Sequence, residues 1–494
     1  MNLIQKQGFI NSIILYLGTA LGFLNLMILF PRFLSLEQIG YLSLVTTISV
    51  NYNQLASLGF TSVITRFLPF YKTDDKRHKG FLSFVILACV TGFVIVTIVF
   101  ILFKELVFLF SEDKQGVSLM TRYYYYIIPI SFCTLAFLIQ ETIARTVFRS
   151  IIPAFLREVI IKVSTAVGIL LIFFKLIDFG GFINFYLGAN ILIVLIIVWY
   201  NYNIKIYKLS TISPEVRDNA GVMLNYGLFS MISGSAIALI PGLGILILKM
   251  LSGESMVGIY STFFGIAAVI SVPAKALYST SYQIIAESWK NEDLTKIEKI
   301  YFKTSIIQLI IGTLILIGLI INQRNILYLL HKPEYSNYFN VFVILGCAYL
   351  IDITGGLNQA IIGFSKHYKV VVLFLIIGAG LSGVINYVLI SKFGLIGAAW
   401  SYLLTMFCLN FGYWLYIKLK FSLQPFGRKH VYGLIVGSLC LLIGLYIPHL
   451  NNYYLDVIVR SGLVTVIYAS LTFYLKISED INDLINKVLM KKLR

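Results

Sequence analysis

Long apolar runs separated by short polar stretches follow one another from end to end of the chain. A membrane-spanning helix needs about 20 consecutive, mostly apolar residues. Fourteen blocks meet that length, at roughly 9–31, 40–68, 81–103, 119–146, 153–175, 181–203, 221–248, 256–287, 302–322, 338–363, 369–391, 395–417, 430–450 and 453–475. A transmembrane β-barrel would alternate polar and apolar positions in runs of about ten. The pattern therefore predicts an all-α polytopic membrane protein, because each helix satisfies its own backbone groups where no water can. Blocks longer than the bilayer requires predict tilted helices.

One stretch is partly copied. Leu34–Arg66 opens with a polar turn, Leu34-Ser35-Leu36-Glu37, and continues as an apolar helix carrying Asn51, Asn53 and Gln54 before it ends in Arg66. The turn recurs as Leu251-Ser252-Gly253-Glu254, and the glycines that follow, Gly40 and Gly258, lie 218 residues apart. Asp178-Phe179-Gly180-Gly181 and Lys392-Phe393-Gly394-Leu395 lie 214 apart, each opening an apolar block. Two similar offsets predict a parallel duplication with its axis along the membrane normal. The expected organisation is a six-helix bundle over 1–203, a linker over 204–220, a second six-helix bundle over 221–420, two additional spans over 421–476 and an amphipathic tail over 477–494.

Composition narrows the class. Hydrophobic residues make up 59% and charged residues 12% of the chain, and the mean hydropathy is +0.87; soluble domains carry about a quarter charged residues. The net charge of +17 does not indicate nucleic acid, because the charges sit in the connections between spans. If the N-terminus is cytoplasmic, 26 of the 39 lysines and arginines fall in cytoplasmic segments, 8 on the opposite side and 5 within spans. Basic connections favour the cytoplasm, so both termini are expected there, in a bacterial cytoplasmic membrane. The first apolar block is too long for the h-region of a cleaved signal peptide and is expected to remain as a span. In the tail, Ile477, Ile481, Leu484, Ile485, Val488 and Leu489 follow helical spacing with Ser478 as N-cap, which suits a helix lying on anionic lipid. Tyr123–Tyr126 fall where an aromatic belt is expected. Cys89, Cys133, Cys347, Cys408 and Cys440 form no close-spaced pair, so neither a disulfide framework nor a metal site is expected.

The Pro31-Arg32-Phe33-Leu34-Ser35-Leu36-Glu37-Gln38-Ile39-Gly40-Tyr41 run at the start of the second span resembles the multidrug, oligosaccharidyl-lipid and polysaccharide exporter superfamily, as does Phe393-Gly394-Leu395-Ile396-Gly397-Ala398-Ala399-Trp400 at the start of the twelfth. The likeness covers essentially the whole chain and is similar, more narrowly, to the Wzx-type flippases. It implies two bundles forming a V around a cavity that opens alternately to each side. The implied partner is a polyprenyl-diphosphate-linked glycan, alongside membrane lipids and polysaccharide polymerase machinery. A multidrug exporter of the same superfamily is the rival within transport. A membrane polymerase or glycosyltransferase is the rival outside it, expected to show a large outer loop or an acidic catalytic motif; neither is evident.

Charged groups inside spans carry the sharper signal, since each costs about 2.5–3.5 kcal/mol to insert near the centre. Glu141 and Arg145, Glu158 and Lys162, and Asp456 and Arg460 are four residues apart and are expected to pair locally on one helix face. Lys275 and Asp352 have no such neighbour. They pair with each other, or else Lys275 holds a diphosphate while Asp352 titrates or binds a coupling proton or sodium ion. Arg66 marks an interface or attracts the same headgroup through its guanidinium fork. Asn51, Asn53 and Gln54 suit sugar binding or interhelical bonding equally, since amides donate and accept in either setting. His78, His331, His367, His430 and His449 form no ligand pair, and no catalytic constellation is found, so transport without bond-making and without a resident cofactor is expected.

Overall fold

Polar turns between the apolar blocks start the helices. In a computed structural model, which describes residues 3–105, 112–113, 116–206 and 208–483, the Leu34–Glu37 turn is a capping box. Ser35 Oγ accepts from Gln38 N at 3.2 Å and Gln38 Oε1 accepts from Ser35 N at 2.9 Å, satisfying two orphan donors at a helix start. Asp178 caps the helix at its own turn with one bond, accepting from Gly181 N at 2.7 Å.

The chain is a succession of helices: α1 (Leu3–Leu24), α2 (Leu36–Ala56), α3 (Phe60–Tyr71), α4 (Phe81–Leu102), α5 (Ile127–Thr146), α6 (Ile161–Phe173), α7 (Phe179–Asn203), α8 (Ala220–Ser252), α9 (Glu254–Ala267), α10 (Val272–Lys290), α11 (Leu294–Ile321), α12 (Phe339–Thr354), α13 (Asn358–Phe364), α14 (Lys369–Phe421), α15 (Arg428–Tyr446) and α16 (Tyr453–Tyr474). The strand content among the described residues is one two-residue ribbon, Glu112–Asp113 with Gly116–Val117. Among the described residues, eleven helical segments are long and apolar enough to cross a membrane, a number compatible with fourteen passages. The 53-residue α14 covers two of the expected spans, jointed at Gly394, where φ is 56°. The second and fifth expected spans are interrupted helices. The former breaks at Leu58 and Gly59, both with positive φ, and the latter carries a π-turn at Leu156–Ile160. Leu87, Val90, Val94, Ile95 and Ile98 of α4 are exposed, an apolar surface suited to lipid rather than water. The protein is a multi-pass membrane protein.

Contacts divide it into two compact units, Met1–Ser261 and Thr262–Arg494. The segment 204–220 is followed by α8, which packs along α2 and so joins the first unit. Glycine allows that approach: a Cβ at Gly59 would collide with the Gly227 carbonyl oxygen, and one at Gly227 would lie 2.6 Å from Leu58 O. Tyr52, Phe60, Val63 and Val85 form one core of this unit, and Tyr41, Tyr124, Ile127 and Phe182 another. In the second unit Leu309, Ile317, Val436 and Tyr468 pack α11 against α15 and α16.

The duplicated turns meet within the first unit. A Cβ at Gly40 would collide with Glu254 O, and one at Gly258 with Leu36 O. Ser43 Oγ lies 2.6 Å from Ser261 Oγ, and Ser255 Oγ donates to Glu37 Oε1. Both hydrogen-bonded pairs are 218 residues apart, and the two glycine contacts exchange under the same shift, which is the reciprocity of an isologous contact. Glu254 has a further role, accepting from Ser118 Oγ, Leu119 N and Met120 N at 2.5, 3.1 and 2.8 Å with Lys249 Nζ 3.5 Å away. Gly40→Ala and Gly258→Ala are each expected to lower stability by about 1–3 kcal/mol through overpacking, and to a similar extent, as read by thermal denaturation of the purified protein in detergent.

The amphipathic tail is described only to residue 483. Ser478 Oγ accepts from Ile481 N at 3.5 Å, in keeping with an N-cap, while Leu484, Ile485, Val488 and Leu489 lie outside the described residues.

Candidate functional site

Arg66 lies on α3, past the Leu58–Gly59 break, and its side chain is held by aromatic rings. Its guanidinium carbon is 4.5 Å from the Tyr226 ring centroid on α8 and 5.6 Å from that of Phe67, while Phe67 and Tyr226 meet edge to face at 5.7 Å. The residue is exposed. A cation–π contact orients a guanidinium without neutralising it, so the five N–H donors keep their capacity for an anion.

The three amides of α2 go to two places. Asn51 and Gln54 face α8, where a Cβ at Gly242 would lie 2.9 Å from Asn51 Nδ2 and one at Gly234 would collide with Gln54 Oε1. Asn51 Nδ2 donates to Thr47 O at 2.9 Å. Asn53 is 3% exposed and neither of its side-chain polar atoms has a hydrogen-bond partner among the described residues. It follows by one turn Ser49, whose Oγ lies 3.1 Å from Ser131 Oγ on α5. An orphaned buried amide costs about 1–3 kcal/mol.

The two local ion pairs expected in the fourth and fifth spans are present and are joined. Glu141 contacts Arg145 at 2.5 Å, Glu158 contacts Lys162 at 3.0 Å, and Arg157 bridges them at 2.9 Å to Glu141 and 3.2 Å to Glu158. Lys162 Nζ also donates to Gly18 O on α1 at 3.0 Å. The carboxylates are the more buried members, and the arginines reach outward.

In the second unit, α9 gives way to a 3₁₀ turn at Ala268–Ser271 before α10 starts with Pro273 near its first position. Lys275 follows on that first turn and is exposed. No ion pair joins it to Asp352 among the described residues. Asp352, on α12, instead accepts from Asn410 Nδ2 on α14 at 3.2 Å. Asn410 Oδ1 accepts from Asn358 Nδ2 at 3.2 Å, and Asn358 Oδ1 accepts from Tyr301 OH. The relay Tyr301–Asn358–Asn410–Asp352 thus links α11, α13, α14 and α12. Tyr278, Tyr282, Tyr349 and Tyr413 lie within electrostatic reach of the carboxylate. Only Asp352 of this group stands out in the sequence. The amides and phenols become legible as partners once the helices are packed, because their chemistry is the same in a relay as in an ordinary interhelical bond.

Asp456 and Arg460, the third expected local pair, are 2% and 1% exposed and lie 3.6 Å apart. Asp456 also accepts from Leu450 N and Asn325 Nδ2 at 2.8 and 2.7 Å. Arg460 donates to Gly444 O and Ile447 O at 3.0 and 2.7 Å. The pair therefore ties the end of α15 to α16.

No protein-family model and no curated relative matches the sequence. The fold is similar to that of solved transporters. A structure described as lipid II flippase MurJ in an inward closed conformation superposes with a TM-score of 0.70 at 16% identity, covering 95% of this chain and 100% of that one. An inward-facing multidrug resistance MATE family transporter of the MOP superfamily gives 0.65 at 13% identity, over 83% and 94%. The Vibrio cholerae MATE transporter VcmN in its bent form gives 0.54 at 12%, over 89% and 99%. The chain has the fold shared by MOP-superfamily transporters.

Proposed function

We propose that the protein flips a polyprenyl-diphosphate-linked oligosaccharide across the bacterial cytoplasmic membrane, by alternating access, for assembly of a surface polysaccharide. The observation that carries this reading is the state of the span cations. Arg66 is braced by aromatic rings, Lys275 stands exposed beside a helix break, and neither is paired with a carboxylate among the described residues. Unneutralised cations suit a diphosphate, whereas a cationic drug would call for accessible carboxylates, and Asp352 is tied to Asn410. A charged, sugar-bearing headgroup does not cross hydrocarbon unaided. Guanidinium and ammonium groups replace part of its hydration, and its isoprenoid tail stays in lipid. The fold shared with a lipid II flippase supports a lipid-linked substrate in general. The excess of lysine and arginine in the connections assigned to the cytoplasm supports a cytoplasmic location for both termini.

Asp352 is the residue through which a proton or sodium ion would couple to transport, in exchange for the hydrogen bond it accepts from Asn410 Nδ2. The whole reading is tested with purified protein in proteoliposomes containing an undecaprenyl-diphosphate-linked oligosaccharide. The expected result is protein-dependent loss of lumenal sugar to an external glycosidase; sugar that stays protected, with export of cationic dyes instead, selects the multidrug alternative. New glycosidic bonds formed by the protein would replace transport with polymerisation.

A further inference from the structure

The second unit contains an apolar crevice of about 290 Å³ between α11, α12, α14 and α15. Its walls include Leu309, Leu350, Phe407, Phe411 and Leu434, and Phe407, Phe411 and Leu434 are about half exposed. On helices that cross a membrane, a crevice with such a rim opens to the bilayer rather than to water. Its inner wall includes Asn410, the residue that donates to Asp352 at 3.2 Å.

One end of the crevice is basic. Trp414 lines it, with Lys418 Nζ 5.0 Å from the indole centroid and Gln424 Oε1 accepting from Trp414 Nε1 at 2.8 Å. Phe426 also lines it, and exposed Arg428 follows two residues on at the start of α15. We infer that this crevice binds an anionic phospholipid of the surrounding bilayer, with an acyl chain against Phe407, Phe411 and Leu434 and the phosphate between Lys418 and Arg428. The ammonium of Lys418 and the guanidinium of Arg428 complement one phosphate. Thr354 and Asn410 in the lining, with Gln424 beside Trp414, offer too few sugar-binding groups for an oligosaccharide headgroup. An occupying chain packs on Asn410 and restrains the amide that holds Asp352, so occupancy also bears on the carboxylate. This inference does not depend on which substrate is carried.

Native mass spectrometry of the full chain, titrated with dioleoyl phosphatidylglycerol and dioleoyl phosphatidylcholine, tests it, since the two lipids share their chains and differ in headgroup charge. The tightest phosphatidylglycerol adduct is expected at about twenty-five-fold lower lipid concentration than the phosphatidylcholine adduct, from roughly fivefold for each of the two cations. Lys418→Glu with Arg428→Glu removes that preference, and Leu434→Trp, which fills the crevice, weakens both adducts; a retained thermal transition confirms that each variant is folded. Equal binding of the two lipids, or phosphatidylglycerol binding unchanged in Leu434→Trp, would overturn the inference. Displacement of phosphatidylglycerol by equimolar polyprenyl phosphate would assign the crevice to a substrate tail instead and equally overturn it.

Discussion

Arg66→Glu is expected to slow transport of a diphosphate-linked oligosaccharide by at least about tenfold while leaving the amount of protein in the membrane unchanged. A hydrogen bond to a charged group contributes about 1.5–3 kcal/mol, and each 1.4 kcal/mol is about tenfold; charge reversal removes the attraction and adds repulsion. Arg66→Lys separates charge from geometry. It keeps the cation but loses the planar fork and the stack on Tyr226, so an intermediate rate is expected. Lys275→Glu is expected to match Arg66→Glu, because Lys275 is likewise exposed and no carboxylate pairs with it among the described residues. The initial rate of glycosidase-accessible sugar in proteoliposomes, normalised to protein abundance, measures all three. A wild-type rate in Arg66→Glu would remove this arginine from the headgroup path.

The second large effect concerns stability. Arg460→Ala is expected to destabilise the protein by about 3–5 kcal/mol, since breaking a buried pair strands the remaining charge. Asp456 would be left buried with its donors from Leu450 and Asn325, and the carbonyls of Gly444 and Ile447 would lose their guanidinium. Asp456→Leu combined with Arg460→Met removes both charges, and such replacements are often neutral or stabilising. The double variant should therefore recover much of the loss. Melting midpoints in detergent distinguish the cases: an Arg460→Ala protein as stable as the parent would show that α15 and α16 are held together without the pair.

These two arginines show how far residue types and spacing reach. The i,i+4 pairing of Asp456 with Arg460 is written into the chain, because four residues make slightly more than one helical turn. Its burial and its links to Asn325 and to the end of α15 depend on segments more than ten residues away. Glu141 and Glu158 follow the same pattern. Each finds its local cation, but Arg157 joins the two pairs only because α5 packs beside the π-turn that precedes α6. Asp352 is conspicuous as a carboxylate in an apolar block, whereas Asn358 and Asn410 look like any other amides until packing brings them to it. The expectation that Lys275 and Asp352 pair rests on their shared lack of local partners, a criterion that says nothing about distance between helices.

The sequence by itself determined the membrane class, the approximate spans, the turns that begin them and the relation between Leu34–Gly40 and Leu251–Gly258. Each of these rests on local hydropathy or short-range hydrogen bonding, and neither requires knowledge of which helices are neighbours. Tertiary structure decided the break at Leu58–Gly59, set by the close approach to Gly227, and brought the two copies of the turn face to face at Gly40 and Gly258. It also separated the three amides of one helix, turning Asn51 and Gln54 toward α8 while burying Asn53 elsewhere. A helix places residues on known faces, but what each face meets is a property of the packed bundle.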